Sequence, residues 1–306
     1  MRILVTGDTG FLGSQVTREL AGRGHEVTGL SRSGGNEGIA CDLTDGEATA
    51  EALAGHEFDA VIHLAGIGSP AECELEPTRA FEANTRATWN LLDAVTGEGG
   101  CRKFVLGSTA AIYGPGDGVL VESMQPEPST TYGASKAAAE ILAEQYGRWT
   151  ETRVAVARLF NLTGPGMPPT TLPGEIAEAI TTAEAAGEST ARVEIRNPNH
   201  RRDFLDVRDA ARAIALLAEG DLDGPVNVCS GTGVSVSDVV EAFRGLTDVT
   251  VETAGAGGKP GRQEAEAGEV VGSPGKLTEG TGWELEVALV QSLEAGLESF
   301  RQAGSG

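Results

Sequence analysis

The sequence predicts an α/β protein: a doubly wound parallel sheet with helices on both faces and a smaller, interleaved C-terminal lobe. Three observations carry that expectation. Up to about residue 165, short apolar runs alternate with longer segments of helical periodicity, the pattern of parallel βαβ units. A glycine-rich turn directly follows the first apolar run and opens a helical segment. The alternation then breaks at Gly164-Pro165-Gly166-Met167-Pro168-Pro169, where proline removes backbone donors and glycine opens turns. A chain of 306 residues has room for one large core or two smaller ones.

In chain order, Ile3–Val5, Glu26–Leu30, Ala60–Leu64, Phe104–Leu106 and Val154–Leu159 read as strands. Phe81–Val95 and Tyr132–Arg148 carry apolar residues at helical spacing with few breakers. Beyond the proline-rich loop, residues 207–219 read as helix and 225–229 as strand, so the chain is expected to return to the first sheet. The glycine-rich stretch 254–261 reads as a flexible or ligand-covering loop and Val287–Phe300 as a last amphipathic helix. The expected division is a dinucleotide-binding domain over 1–165, rejoined by 203–230, and a substrate-binding lobe made of 166–202 and 231–306.

Composition narrows the function classes. A net charge of −22 argues against broad electrostatic binding to nucleic acid or to anionic membrane. Cys41, Cys73, Cys101 and Cys229 are widely separated, with no Cys-x-x-Cys spacing and no histidine cluster, so neither a disulfide framework nor a metal site is indicated. The chain opens on the strand-like Arg2-Ile3-Leu4-Val5-Thr6 with no leader pattern and no apolar run of membrane length. The expectation is a soluble, cytoplasmic protein.

The glycine turn is Gly7-Asp8-Thr9-Gly10-Phe11-Leu12-Gly13, a Gly-x-x-Gly-x-x-Gly run between strand and helix. Gly7 permits the tight turn, Gly10 lets backbone amides approach a pyrophosphate, and Gly13 lets helix and strand pack closely. This is the arrangement of a Rossmann-type dinucleotide site, with the amides of Phe11 and Leu12 at the helix start. The second strand ends in Leu30-Ser31-Arg32-Ser33, where an acidic residue would favour NAD. Arg32 reverses that charge and suits a ribose 2′-phosphate, so NADP is expected, with NAD the alternative if Arg32 only extends into water. Asp42 and Leu43 are placed at the adenine edge. His63-Leu64-Ala65-Gly66 brings glycine-flanked backbone to the cofactor through Leu64, Ala65 and Gly66, and His63 reads as a packed strand residue.

Tyr132-Gly133-Ala134-Ser135-Lys136 places a phenol and an ammonium at i and i+4, on one helical face. A cation about 4 Å away, at an effective dielectric of ~20, favours the phenolate by roughly 4 kcal/mol, or about three pKa units. With three tyrosines and four lysines in the chain, such a pair arises by chance with a frequency of about 0.04. At the end of the fifth strand, Gly107-Ser108-Thr109-Ala110-Ala111-Ile112-Tyr113-Gly114 presents hydroxyls where an open α/β sheet holds its ligand. Ser108 and Thr109 both have the chemistry to bind a substrate oxygen, and both suit a cap.

Taken together, Gly7–Gly13, Ser108–Gly114, Tyr132–Lys136, Arg158-Leu159-Phe160-Asn161 and Arg202-Asp203-Phe204-Leu205-Asp206-Val207 make the chain resemble an extended short-chain dehydrogenase/reductase of the nucleotide-sugar epimerase/dehydratase group. The resemblance spans nearly the whole length. It implies that Thr109 is the active hydroxyl, Tyr132 the acid/base, and Lys136 also a ligand of the nicotinamide ribose. It assigns Asn161, Arg202, Lys259 and Arg262 to the substrate's nucleotide diphosphate, and the gathering of cations in so acidic a chain agrees. It also implies a homodimer joined through segments around 81–95 and 133–147.

Where dehydratases of the group carry Asp-Glu after the active Thr, this chain has Ala110-Ala111, which disfavours dehydration. The stretches Arg202–Asp209, Val226–Gly231 and Thr281-Gly282-Trp283 resemble the branch that includes 4-keto-6-deoxyhexose reductases, which use NADPH. The group's usual Tyr before Gly-Pro is Thr163 here. The first expectation is therefore an NADPH-dependent 4-ketoreductase. A 4-epimerase holding NAD is the second, and a catalytically silent dinucleotide-binding protein the third.

Overall fold

A computed structural model describes residues 1–35, 38–96, 100–114, 118–195, 197–255 and 269–304. Its first strands are β1 (Arg2–Thr6), β2 (Glu26–Ser31), β3 (Ile39–Ala40), β4 (Ala60–His63) and β5 (Lys103–Thr109). After β6 (Val119–Leu120) come β7 (Arg153–Leu159), β8 (Asn161–Thr163), β9 (Thr190–Ile195) and β10 (Arg201–Asp206). The last are β11 (Gly224–Val228), β12 (Gly233–Ser235), β13 (Thr250–Gly255) and β14 (Glu269–Gly272).

Seven of them form one sheet in the order β11-β7-β5-β4-β1-β2-β3, and every pair is parallel. The side-chain period of two sends Ile3, Val5, Ile62 and Val105 to one face, where they pack with Val16, Leu20, Ile214 and Leu217 of the helices Phe11–Gly22 and Val207–Glu219. Leu4, Val61, Phe104 and Leu106 point to the other face, against Leu91, Leu92, Ala139 and Ala143 of Ala87–Val95 and Thr131–Trp149. Both faces are therefore covered, and the strands read as continuous apolar runs because neither face meets water.

The chain runs outward from β1 in both directions, to β2 and β3 on one side and to β4, β5, β7 and β11 on the other. The carboxyl ends of β1 and β4 thus meet at a topological switch point, where open α/β sheets bind ligands.

A third core, formed by Met167, Ile176, Ile180, Val193, Ile195, Phe204, Val239, Phe243, Leu293 and Leu297, lies in the later part of the chain. Around it stand a sheet ordered β12-β10-β14-β6, with β8 beside β10, and the parallel pair β13-β9. The return of the chain to the first sheet is carried by the helix Val207–Glu219 and by β11, which pairs with β7. Residues 203–206 lie in β10, a strand of the second sheet, from which Leu205 packs into the first core.

Two other expectations need correction. The continuous helix expected over Phe81–Val95 is interrupted by a π-helical turn, Glu82–Arg86, between Pro77–Phe81 and Ala87–Val95. Residues 254–255 of the expected loop close β13, and the remainder, 256–261, lies outside the described residues. The last helix runs Leu289–Ala303.

Candidate active site at the sheet switch point

Gly7 lies at φ +70°, a left-handed turn in which a side chain would be strained, and a Cβ there would sit 2.9 Å from the Ala65 nitrogen. The glycine turn and the Leu64–Gly66 segment therefore touch backbone to backbone. Thr6 fastens them, its Oγ1 accepting from the Ala65 amide at 3.2 Å. A Cβ on Gly13 would fall 2.0 Å from the Gly7 carbonyl oxygen, so the helix packs on the turn only because Gly13 has none. Gly10 caps this helix without a side-chain bond. The first amides of Phe11–Gly22 have no partner within the helix and suit an anionic pyrophosphate. The cradle thus fits a dinucleotide through the backbone of Gly7, Gly10, Phe11, Leu12 and Gly13.

Arg32 is exposed just beyond β2. Hydrogen bonds from the Thr44 amide and hydroxyl, with the Arg32 charge behind them, hold the Asp42 carboxyl below the ordinary carboxylate range. Leu43 is a core residue, and its carbonyl oxygen accepts from Asn90 Nδ2 at 2.8 Å. His63 is buried between Thr6 Oγ1 at 2.7 Å and Thr88 Oγ1 at 3.1 Å, and burial pushes its pKa down to about 3. It packs as a neutral residue of β4.

Tyr132 and Lys136 occupy the first turns of Thr131–Trp149, a helix capped by Thr130 Oγ1, which accepts from the Gly133 amide at 2.8 Å. A Cβ on Gly133 would come 2.4 Å from the Ala111 carbonyl oxygen, so a glycine at this point lets the helix close onto the end of β5. Tyr132 thereby meets Thr109. Thr109 Oγ1 accepts from the Ala111 amide at 3.2 Å, which leaves its O–H to donate. Thr109 is thus a cap whose hydroxyl also meets Tyr132.

Electrostatics at the pair differs from the expectation. Burial raises the Tyr132 pKa, and hydrogen bonding to Thr109 opposes that rise. Lys136 Nζ donates to the Gly107 carbonyl at 3.0 Å, and burial lowers its pKa to about 8. In this enclosed site desolvation disfavours phenolate and ammonium alike, so the expected lowering of the phenol by Lys136 is not what the structure shows.

Ser108 is buried with its hydroxyl donating to Glu140 Oε1. Glu140 in turn pairs with Arg158 at 2.8 Å, and Arg158 reaches the Tyr113 hydroxyl at 3.0 Å. Ser108 thus belongs to a buried network behind the site, and Thr109 alone of the two hydroxyls stands beside Tyr132. Asn161 donates to the Asp203 carbonyl at 2.9 Å, and Arg202 lies against His200 at 3.3 Å, both along β8 and β10. Lys259 and Arg262 lie outside the described residues. Thr163 is fully buried and bonds Met167 Sδ at 3.5 Å.

Two residues escaped the sequence reading. Asn84, in the π-helical turn, accepts from the Ile67 amide at 2.8 Å and donates to the Ile67 carbonyl at 3.1 Å and to Ser135 Oγ at 3.0 Å. It joins the loop after β4 to the Tyr132 helix, and the available signal was an asparagine inside a helical pattern. Glu140 sits one turn beyond Lys136 on the same face, a carboxylate among the buried alanines Ala137, Ala139 and Ala143.

The sequence profile described as the NAD dependent epimerase/dehydratase family matches residues 3–229. Among curated proteins, the GDP-6-deoxy-D-mannose reductase of Pseudomonas aeruginosa is 35% identical over 79% of this chain and 80% of its own. A solved structure of RMD from Pseudomonas aeruginosa complexed with NADPH superposes with a TM-score of 0.85 at 30% identity, covering 99% of this chain and 98% of that one. The UDP-glucose 4-epimerase of Thermus thermophilus, in complex with NAD, superposes at 0.87 and 30% identity over 99% and 100%. With the glycine cradle at the switch point and Thr109, Tyr132 and Lys136 assembled at the adjacent strand end, these matches show that the chain belongs to the NAD-dependent epimerase/dehydratase family.

Proposed function

We propose that this protein is an NAD(P)-dependent oxidoreductase of nucleotide-activated sugars, and that it reduces a 4-keto sugar with NADPH. The observation that carries the reading is the convergence of Thr109, Tyr132 and Lys136 at the end of β5, beside the glycine cradle. A bound nicotinamide nucleotide supplies hydride to the carbonyl carbon. The Tyr132 phenol donates its proton to the carbonyl oxygen, and the burial that raises its pKa keeps that proton in place at neutral pH. Thr109, whose O–H the Ala111 contact leaves available as a donor, holds the same oxygen. Lys136, fixed by the Gly107 carbonyl, supplies positive charge that favours the phenolate left after transfer, until solvent returns the proton.

Asn161 and Arg202 are assigned to the substrate's nucleotide diphosphate, and Ala110-Ala111 supplies no carboxylate pair for dehydration. Arg32 and the NADPH bound by the Pseudomonas relative favour the reductase. A 4-epimerase is the second reading, favoured by the likeness to the NAD-bound Thermus enzyme, and would use the same three residues. The silent dinucleotide-binding reading is disfavoured because the triad is present. Exposed Phe81, Trp89, Ile141 and Trp149 support a homodimer through segments 81–95 and 133–147. Four unpaired cysteines suit a reducing cytoplasm, and no helix among the described residues is long and apolar enough to cross a membrane.

The test is a panel of sugar nucleotides and their 4-keto derivatives assayed with NADPH and NADH, with product identification. Reduction of a 4-keto derivative supports the proposal. Stoichiometric NAD released from denatured protein, with interconversion of C4 epimers, would replace it with the epimerase.

A further inference from the structure

The cofactor reading rests on Arg32, which lies on the rim beyond β2, yet an acidic group stands inside the same end of the sheet. Asp8 follows Gly7 in the cradle, and its side chain lies across β2: a Cβ on Gly29 would be 2.2 Å from Asp8 Oδ2. Any larger residue at 29 would expel this carboxylate, so Gly29 and Asp8 form a matched pair. Ser31 is two residues further along β2, on the same face as Gly29 and about 7 Å on toward the carboxyl end of the strand.

Asp8 Oδ1 and Ser31 Oγ are both buried, and among the described residues neither has a hydrogen-bond partner. Buried oxygens without partners cost free energy unless water or a ligand satisfies them, and both of these belong to the same end of β2. The Gly7 amide bonds the Leu30 carbonyl at 2.9 Å, which fixes Asp8 to this end of β2. In a doubly wound sheet with its pyrophosphate on the glycine turn, the adenosine ribose rests over this strand end.

We infer that Asp8, with Ser31, binds the ribose hydroxyls of the dinucleotide and gives this chain a dual-cofactor site, in which Asp8 selects NADH from inside and Arg32 selects NADPH from the rim. This rests on the proposal that the cradle holds a nicotinamide nucleotide. The carboxylate that such sites commonly carry at the end of the second strand is here replaced by Ser31 and reintroduced one loop away, through a glycine gap. A carboxylate accepts hydrogen bonds from a 2′-hydroxyl and repels a 2′-phosphate, whereas the guanidinium does the reverse.

The experiment is direct binding of NADH and of NADPH, read by the fluorescence of the reduced nicotinamide, to wild-type protein and to the Asp8→Asn, Asp8→Ala and Arg32→Ala variants. Thermal unfolding checks each fold, and the near-isosteric Asp8→Asn preserves the packing over Gly29. Wild type is expected to bind the two cofactors with Kd values within about tenfold of each other. Asp8→Asn tightens NADPH by about tenfold and changes NADH less; Asp8→Ala weakens NADH by about tenfold; Arg32→Ala weakens NADPH alone. A ratio of Kd values that is the same in folded Asp8 variants as in wild type overturns the inference and leaves the proposed function standing. A wild type that excludes NADH also overturns it, and a wild type that binds neither cofactor ends both.

Discussion

Lys136→Met is a sharp probe of the site because it separates what the lysine does for chemistry from what it does to stability. A buried ammonium that titrates at about 8 instead of 10.5 costs the folded state about 3 kcal/mol at pH 7. The sign follows from proton binding. Below pH 8 both folded and unfolded chains hold the proton, and the penalty is present in full. Between 8 and 10.5 the folded chain has released it while the unfolded chain has not, so stability rises with pH; above 10.5 the penalty is gone. Methionine keeps the length and apolar contacts of lysine and removes the charge, but it leaves the Gly107 carbonyl without its 3.0 Å donor, at a cost of about 1–2 kcal/mol. The variant should therefore be more stable than wild type by about 1–2 kcal/mol at pH 7, an advantage that is lost between about pH 9 and 10 and becomes a deficit of up to about 1 kcal/mol at pH 10. Urea unfolding of cofactor-free protein at pH 7, 8, 9 and 10 measures this. No gain at pH 7, or a gain that persists unchanged to pH 10, would refute the account of Lys136 as a desolvated cation.

Tyr132→Phe should retain NADPH binding and lose turnover by several orders of magnitude; unchanged turnover would remove the phenol from the mechanism. Gly13→Ala drives a Cβ into the Gly7 carbonyl, where no flexible side chain can yield. Expected outcomes are a lowered melting temperature and loss of cofactor binding, seen by calorimetry and fluorescence titration, and an unperturbed protein would contradict the packing described. Glu140→Gln leaves Arg158 buried against a neutral amide and should cost about 3–5 kcal/mol in urea unfolding. A loss under about 1 kcal/mol would show that the pair contributes little.

Periodicity and glycine placement made the seven-stranded sheet legible because a strand buried on both faces is a short apolar run, and few residues but glycine fit a turn whose backbone touches its neighbour. The Tyr132–Lys136 spacing was equally readable, since i and i+4 share a helical face in any context. The π-helical turn at Glu82–Arg86 was not: the bonds made from it by Asn84 go to Ile67 and Ser135, residues 17 and 51 positions away, which no local pattern encodes. The strands β8 to β10 and β12 to β14 are short and lie in a lobe whose pairing partners are distant in sequence, so local pattern said little about them.

What the sequence determined by itself is the identity of the groups and their local order: a glycine cradle after the first strand, a hydroxyl at the end of the fifth, a phenol and an amine one helical turn apart. Only the tertiary structure decided what those groups feel. Burial moved the Lys136 and Tyr132 pKa values in the directions that oppose both charges. The fold also committed Ser108 to Glu140 while leaving Thr109 beside the phenol, and laid Asp8 across a gap made by a glycine on another strand. Desolvation and through-space contact depend on where the rest of the chain lies, and no local spacing encodes that.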